Sequence, residues 1–287
     1  MKYIGIGDNV VDRYVNEKVM FPGGNPVNFA AFIAELGKDS SYMGVLTDDA
    51  EGVLIRESLE SLGVDLSHCL LKKGLGTERC DVEIRNGDRV FIGSCHGGME
   101  HENLELGDEQ LKALNDYDVI HCGCYAEMDN EMIKLKGIGA IKPFDFSTED
   151  EYRDPEYLAK VCPYIDIALF SDSNSDAVDA HENIADLKST CLKLGTEMVL
   201  VTRGHRGQIL FTKENKYEGT IKVIETLDTM GAGDAFFASF LVKLIDSGWS
   251  KGQAPADNAV KEALDFAADF SAKNCQREGA FGFGTNY

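Results

Sequence analysis

Four short apolar segments, at 117–124, 141–146, 165–170 and 198–202, alternate with helical stretches at 131–137, 155–161 and 176–194. Runs this short and this apolar read as strands buried on both faces. Their alternation with helices restricts the chain to an α/β fold: a predominantly parallel sheet with helices on both faces. Buried strands at 3–7 and 41–46 carry the same pattern toward the N-terminus, and an amphipathic helix at 50–62 follows the second of them. A last helix is predicted over 257–273, where Ala259, Val260, Ala263, Leu264, Ala267, Ala268 and Phe270 recur at core spacing.

Two stretches break this rhythm. Residues 77–85 alternate apolar and charged positions, Asn86-Gly87 is a hairpin turn, and residues 88–92 return. Too many of these positions are charged for a sheet covered on both faces. Together with the loosely alternating residues 13–20 they predict a small antiparallel β lid, built from segments 13–22 and 68–99 of one domain spanning 1–287. Arg79 and Arg89 are expected on its solvated face.

The chemistry concentrates at two glycine turns. In Thr226-Leu227-Asp228-Thr229-Met230-Gly231-Ala232-Gly233-Asp234-Ala235 the chain is expected to leave a strand end at 221–224 and turn tightly. It then enters a helix marked by Phe236, Phe237, Phe240, Leu241, Leu244 and Ile245. Unpaired amides and the positive end of the helix dipole make such a place an anion site. Asp234 stands at the same spot, where a carboxylate takes a proton while the amides face charge on a phosphoryl group. The second turn, Phe21-Pro22-Gly23-Gly24-Asn25-Pro26-Val27-Asn28, opens another helix, with Asn25 as N-cap and Pro26 in the first turn. Asp8, Asn9 and Asp12 follow the first strand, where open α/β sheets bind ligands and where hydroxyl groups would find acceptors.

The net charge of −21 excludes a general nucleic-acid surface, and no apolar run is long enough to span a membrane. Glycines and an acid interrupt the first eight residues too early for a signal peptide, so a cytoplasmic location with reduced thiols is expected. Cys122 and Cys124 beside His121 lack the spacing of a zinc ribbon and read as small core residues. Gly5-x-Gly7 lacks the third glycine of a dinucleotide fingerprint, which leaves an oxidoreductase a distant reading.

The string Asp228-Thr229-Met230-Gly231-Ala232-Gly233-Asp234 closely resembles the C-terminal signature of the ribokinase-like (PfkB) family of sugar and nucleoside kinases. Gly23-Gly24-Asn25-x-x-Asn28 resembles its N-terminal signature, and the two stand in the family's order. The resemblance implies a ribokinase-like fold and ATP-dependent phosphorylation of a sugar hydroxyl. Asp234 would be the catalytic base and the amides of Gly231, Ala232 and Gly233 the anion hole. Asp8, Asn9, Asp12, Gly23, Gly24, Asn25 and Asn28 would face the sugar. Thr202, Gly204 and Gly207 match the family's segment beside the ATP phosphates, with Arg203 and Arg206 adding positive charge; Arg203, Thr229 and Asn274 complete the implied ATP set.

The family's Asn-x-x-Glu segment is replaced by Ser171-Asp172-Ser173-Asn174, with Asp172, Asn174 or Asp176 as the alternative substitutes. Magnesium (Mg2+) is therefore expected mainly on ATP oxygens and water, and no side chain is assigned to it. Within the family, Gly7-Asp8-Asn9-x-x-Asp12, the 86–91 hairpin, Phe144-Asp145-Phe146-Ser147 and the replaced segment resemble fructoselysine 6-kinases. Asp8 and Glu83 would then suit the substrate's amino groups. A kinase of a free sugar such as fructose or ribose is the alternative, and a non-catalytic sugar or nucleotide sensor is the reading from another class. The implied partners are the sugar and ATP, with a homodimer formed through the lid.

Overall fold

The computed structural model describes residues 1–85, 88–99, 102–172 and 180–287. The expected Asn86-Gly87 turn and residues Ser173, Asn174 and Asp176 lie outside the described residues, as does the side chain of Arg89.

The strands are β1 (Lys2–Ile6), β2 (Val10–Tyr14), β3 (Val19–Gly23), β4 (Asp39–Met43), β5 (Val45–Thr47), β6 (Leu70–Lys72), β7 (Glu78–Arg85) and β8 (Asp88–Cys95). After them come β9 (Val119–Gly123), β10 (Pro143–Asp145), β11 (Ile167–Ser171), β12 (Met198–Thr202), β13 (Gln208–Thr212), β14 (Lys216–Gly219) and β15 (Thr285–Asn286). The α-helices are α1 (Asn25–Glu35), α2 (Ala50–Ser61), α3 (Asp108–Leu114), α4 (Pro155–Val161), α5 (Ala180–Leu194), α6 (Ala232–Asp246) and α7 (Asp257–Asn274).

An eight-stranded sheet runs in the order β14-β13-β12-β11-β10-β9-β1-β4. It is parallel from β12 to β4, and β13 runs antiparallel to both β12 and β14. Successive side chains on a strand point to opposite faces, and here each face has its own core. Tyr3, Tyr42, Leu169 and Leu200 pack with α1, α2, α6 and α7 on one side. Ile4, Met43, Ala168, Phe170, Val199 and Val201 pack with α3, α4 and α5 on the other. Phe237 and Phe240 of α6 are fully buried, each contributing about 1.5–3 kcal/mol by leaving water. His121, Cys122 and Cys124 are buried as well; the His121 ring stacks on Phe29 at 4.4 Å, and burial pushes its pKa down to about 3.

A second sheet, β15-β3-β2-β7-β8, stands over the first, and it corrects the predicted lid in three respects. It starts at Val10 rather than Arg13, and β2 pairs with β7 in parallel, so the sheet is mixed rather than antiparallel. Residues 70–72 do not belong to it but pair with β5 in a separate two-stranded sheet. At the edge of the second sheet β15 pairs with β3, Thr285 opposite Met20. The strand end expected at 221–224 is also absent: β14 stops at Gly219, and Val223 is 90% exposed.

Candidate active site

A cavity of about 600 Å³ separates the C-terminal ends of the central strands from the second sheet. Its floor is built where β1, β9 and β10 end, which is where open parallel sheets leave a crevice. Asp8, Asn9, Asp12, Gly24, Asn25, Asn28, Gly231 and Asp234 all line it, so the two glycine turns, distant in sequence, meet here.

The meeting is made by α1 and α6. Gly24, at φ 105, is the N-cap of α1, a backbone state that glycine adopts without strain. Asn25 is therefore the first helical residue and not the predicted cap, which frees its side chain. Asn25 Nδ2 donates to Asp234 Oδ1 at 3.0 Å and to Asp145 Oδ2 at 2.9 Å. Asn28 Nδ2 donates to Asp234 Oδ2 at 2.8 Å. Both oxygens of Asp234 are thus held from one side, and the carboxylate sits in the first turn of α6 facing the cavity.

Gly231, at φ 68, caps α6 in the left-handed region. The amides of Gly231, Gly233 and Asp234 have no hydrogen-bond acceptor among the described residues. The Ala232 amide, expected to be a third member of the anion hole, instead donates to the Thr229 carbonyl at 3.2 Å. The turn opens its amides at 231, 233 and 234.

Asp228 braces this turn. It accepts from the Met230 amide at 2.8 Å, the Gly279 amide at 2.8 Å and the Tyr14 hydroxyl at 2.6 Å, which ties the turn to β2. Asn274 is 4% exposed and donates to the carbonyls of Met230 and Ala280. Its side chain holds the turn and is spent there rather than presented to a nucleotide.

Burial raises three carboxylates at the floor, but unequally. Asp145 is pushed up to about 8 by desolvation and by the charge of Asp234, and Asp8 to about 7 by desolvation and the charge of Glu78. Asp234 rises only to about 6, because the amides of Asn28 and Asn25 offset part of its desolvation. Environments that separate neighbouring carboxyl groups in this way assign them different protonation roles, and Asp234 is the most readily ionised of the three.

The remaining expected residues are placed differently. Gly23 lies behind Asp12, whose Oδ2 would be 2.7 Å from an added Cβ. Thr202 ends β12, and Arg203, Gly204 and Gly207 form the turn after it, outside the cavity lining. Arg206 is engaged by Asp172, donating to its carbonyl at 2.6 Å and pairing with its carboxylate at 3.6 Å. Glu83, expected to face amino groups, does not line the cavity; Glu78 and Cys80 on the other face of β7 do. Tyr125, Glu149 and Tyr152 line it too, with no sequence signal beyond following the buried strands β9 and β10.

The model of the pfkB family carbohydrate kinases matches residues 2–282, and the chain belongs to that family. It is 33% identical over its whole length, and 95% of the relative's, to the fructosamine kinase FrlD of Bacillus subtilis (strain 168). It is 30% identical to the fructoselysine 6-kinase of Escherichia coli (strain K12), over 96% of this chain and 98% of that one. The fold matches the ribokinase of Arabidopsis thaliana solved with ribose and ATP, at a TM-score of 0.77, 21% identity and coverage of 99% and 96%. The chain is an ATP-dependent carbohydrate kinase with a ribokinase-like fold.

Proposed function

We propose that the sugar phosphorylated here is a fructosamine, fructoselysine foremost, and that Asp234 is the base. The observation that carries the mechanism is the juxtaposition of an ionised, doubly held Asp234 with the open amides of Gly231, Gly233 and Asp234. A primary hydroxyl lying against Asp234 gives its proton to that carboxylate as its oxygen bonds to the γ-phosphorus of ATP. The bond to the bridging oxygen breaks, ADP leaves, and the amides face the charge carried by the transferring oxygens. Asp8, Asn9, Asp12 and Asn28 present acceptors and donors to the sugar hydroxyls, and Gly24 lets the backbone approach them. Thr202, Arg203, Gly204, Gly207 and Thr229 are assigned to the nucleotide.

Among the described residues no group of three or more His, Cys, Asp or Glu side chains is placed to hold a metal ion. Magnesium bound to ATP would neutralise phosphate charge, and its ligands would be ATP oxygens and water. Among the described residues no helix is long and apolar enough to cross a membrane, and all eight cysteines are free. Cytoplasmic residence beside ATP suits that thiol state.

The test is ADP release with ATP and magnesium across fructoselysine, other fructosamines, fructose, ribose and 2-keto-3-deoxygluconate. The reading expects the highest kcat/KM on the glycated amino acids. A preference for a free sugar discards this substrate, and tight sugar binding without ADP release discards the kinase in favour of a sensor. Pairing of two copies through the second sheet is part of the proposal, since Phe91 and Ile92 of β8 are 61% and 43% exposed. Light scattering should give twice the mass of one chain, and a monomer at assay concentration contradicts it.

A further inference from the structure

The charged side chains of the cavity wall are acidic, set among neutral and apolar residues. Three aspartates and four glutamates line it, and among the described residues no lysine or arginine does. Three of the glutamates have polar or cationic partners: Glu102 with Lys72 at 2.6 Å, Glu78 with His96 at 3.0 Å, and Glu127 with the Asn103 amide at 2.9 Å. Glu127 and Glu149 are bonded by neutral donors alone, and no ion pair among the described residues engages either; Glu127 is exposed to water, whereas Glu149 is half-buried, with the Tyr125 hydroxyl at 2.7 Å and the Thr148 amide at 3.2 Å among its donors.

Burial pushes the Glu149 carboxyl up, but the bonds from Tyr125 and the backbone outweigh that and hold it below the ordinary glutamate range. It is a fixed negative charge without a counter-ion. Beside it Tyr125 is 41% exposed, and its ring meets Tyr152 edge to face at 5.7 Å, both rings lining the cavity. A carboxylate flanked by aromatic rings is the arrangement that holds an alkylammonium, through charge and through the electron-rich ring faces.

The same cavity asks for a ligand independently. Asn28 is 6% exposed and lines it, and its Oδ1 has no hydrogen-bond partner; the buried Oδ1 of Asp8 is also unpartnered. Buried acceptors in that state wait for donors that the protein does not supply.

We infer that the wall formed by Glu149, Tyr125 and Tyr152 is the subsite that holds an ammonium of the glycated amine, and so selects fructosamines over free ketoses. The inference rests on the fructosamine reading above and adds the residues that enforce it. Selection follows from the sign of the lining: a neutral ketose leaves Glu149 desolvated and unpaired, while a glycated amine supplies its counter-ion.

The experiment measures kcat and KM of the full-length wild type, Glu149→Gln, Glu149→Asp and Tyr125→Phe on fructoselysine, its Nα-acetyl derivative and fructose. In Glu149→Gln the ratio of kcat/KM for fructoselysine over fructose should fall about tenfold, mostly through KM, as expected for a half-exposed charge pair. Glu149→Asp should recover part of that ratio, and Tyr125→Phe should lower it less. A loss in Glu149→Gln that persists on the Nα-acetyl substrate assigns the secondary ammonium beside the sugar. A loss confined to the unblocked substrate assigns the α-ammonium, and both support the subsite. Equal losses on fructoselysine and fructose, or none, overturn it. A wild type that takes fructose but no fructosamine defeats the substrate reading before any variant is made, and the subsite falls with it.

Discussion

Asp234→Asn is expected to lower kcat by about 10²–10⁴-fold, equivalent to roughly 2.7–5.5 kcal/mol of barrier, while sugar binding changes little. The substitution keeps the size of the side chain but cannot take a proton from the attacking hydroxyl. One of Asn25 and Asn28 would still meet the new amide oxygen, and the other would lose its acceptor to the NH₂ group. Calorimetric titration with the sugar checks that binding survives, and stopped assays of ADP give kcat.

The pH profile provides the matching signature. A base works ionised, and the folded pKa of Asp234 is raised to about 6, so kcat/KM should fall as pH drops through that value. The acidic limb should be missing from the residual activity of Asp234→Asn. A variant retaining more than about a third of wild-type kcat would remove Asp234 from the role of base.

Gly231→Ala is the second large effect. Gly231 stands at φ 68, where a side chain is strained, and an added Cβ would lie 2.7 Å from the Cβ and 2.9 Å from the Cα of Ala280. The backbone at Ala280 is fixed by Asn274, which donates to the Ala280 carbonyl at 2.9 Å, so the turn itself must give. Opening it shifts the amides of Gly233 and Asp234 from their present aim. The expected loss in kcat is about 10²–10³-fold, the size of removing one oxyanion donor. The strain should also destabilise the fold by about 1–3 kcal/mol.

Gly233→Ala separates the two contributions, since an added Cβ there meets nothing within 4 Å and the backbone is not left-handed. Its melting temperature should stay close to wild type, while its activity falls because the new methyl group occupies space assigned to the phosphoryl group. Normal activity and normal melting in Gly231→Ala would mean that the turn is not the anion site.

The sequence was most legible where chemistry demands a rare string. Asp228 to Asp234 and Gly23 to Asn28 announce both turns, and the alternation of apolar strands with helices announces the sheet that brings them together. The helix over 257–273 was readable almost to the residue, because Val260, Ala263, Leu264 and Ala267 carry one face of it into a core. What could not be read depends on contacts between distant residues. Asn25 has the composition of an N-cap, yet Gly24 takes that position and leaves Asn25 to join Asp145 and Asp234.

Strand direction was likewise invisible: β2 and β7 alternate as any half-exposed strands do, and nothing local says that they run parallel. The tail at 282–287 has the composition of an end, and only the open edge of β3 gives it a partner. Glu83 was named for an acidic face that Glu78 in fact supplies, since one residue along a strand decides which face a side chain joins. Glu149 and Tyr125 are ordinary loop residues in sequence, and their pairing across the cavity wall appears only in three dimensions.

The central claim is that this cavity transfers a phosphoryl group to a primary hydroxyl of a fructosamine. The most direct measurement is the product itself: wild-type enzyme, ATP, magnesium and fructoselysine, followed by ³¹P and ¹³C NMR. The account predicts loss of the ATP γ signal and growth of a phosphomonoester coupled to C6 of the sugar, in step with ADP. ATP left intact, or phosphate released without a sugar ester, would contradict it.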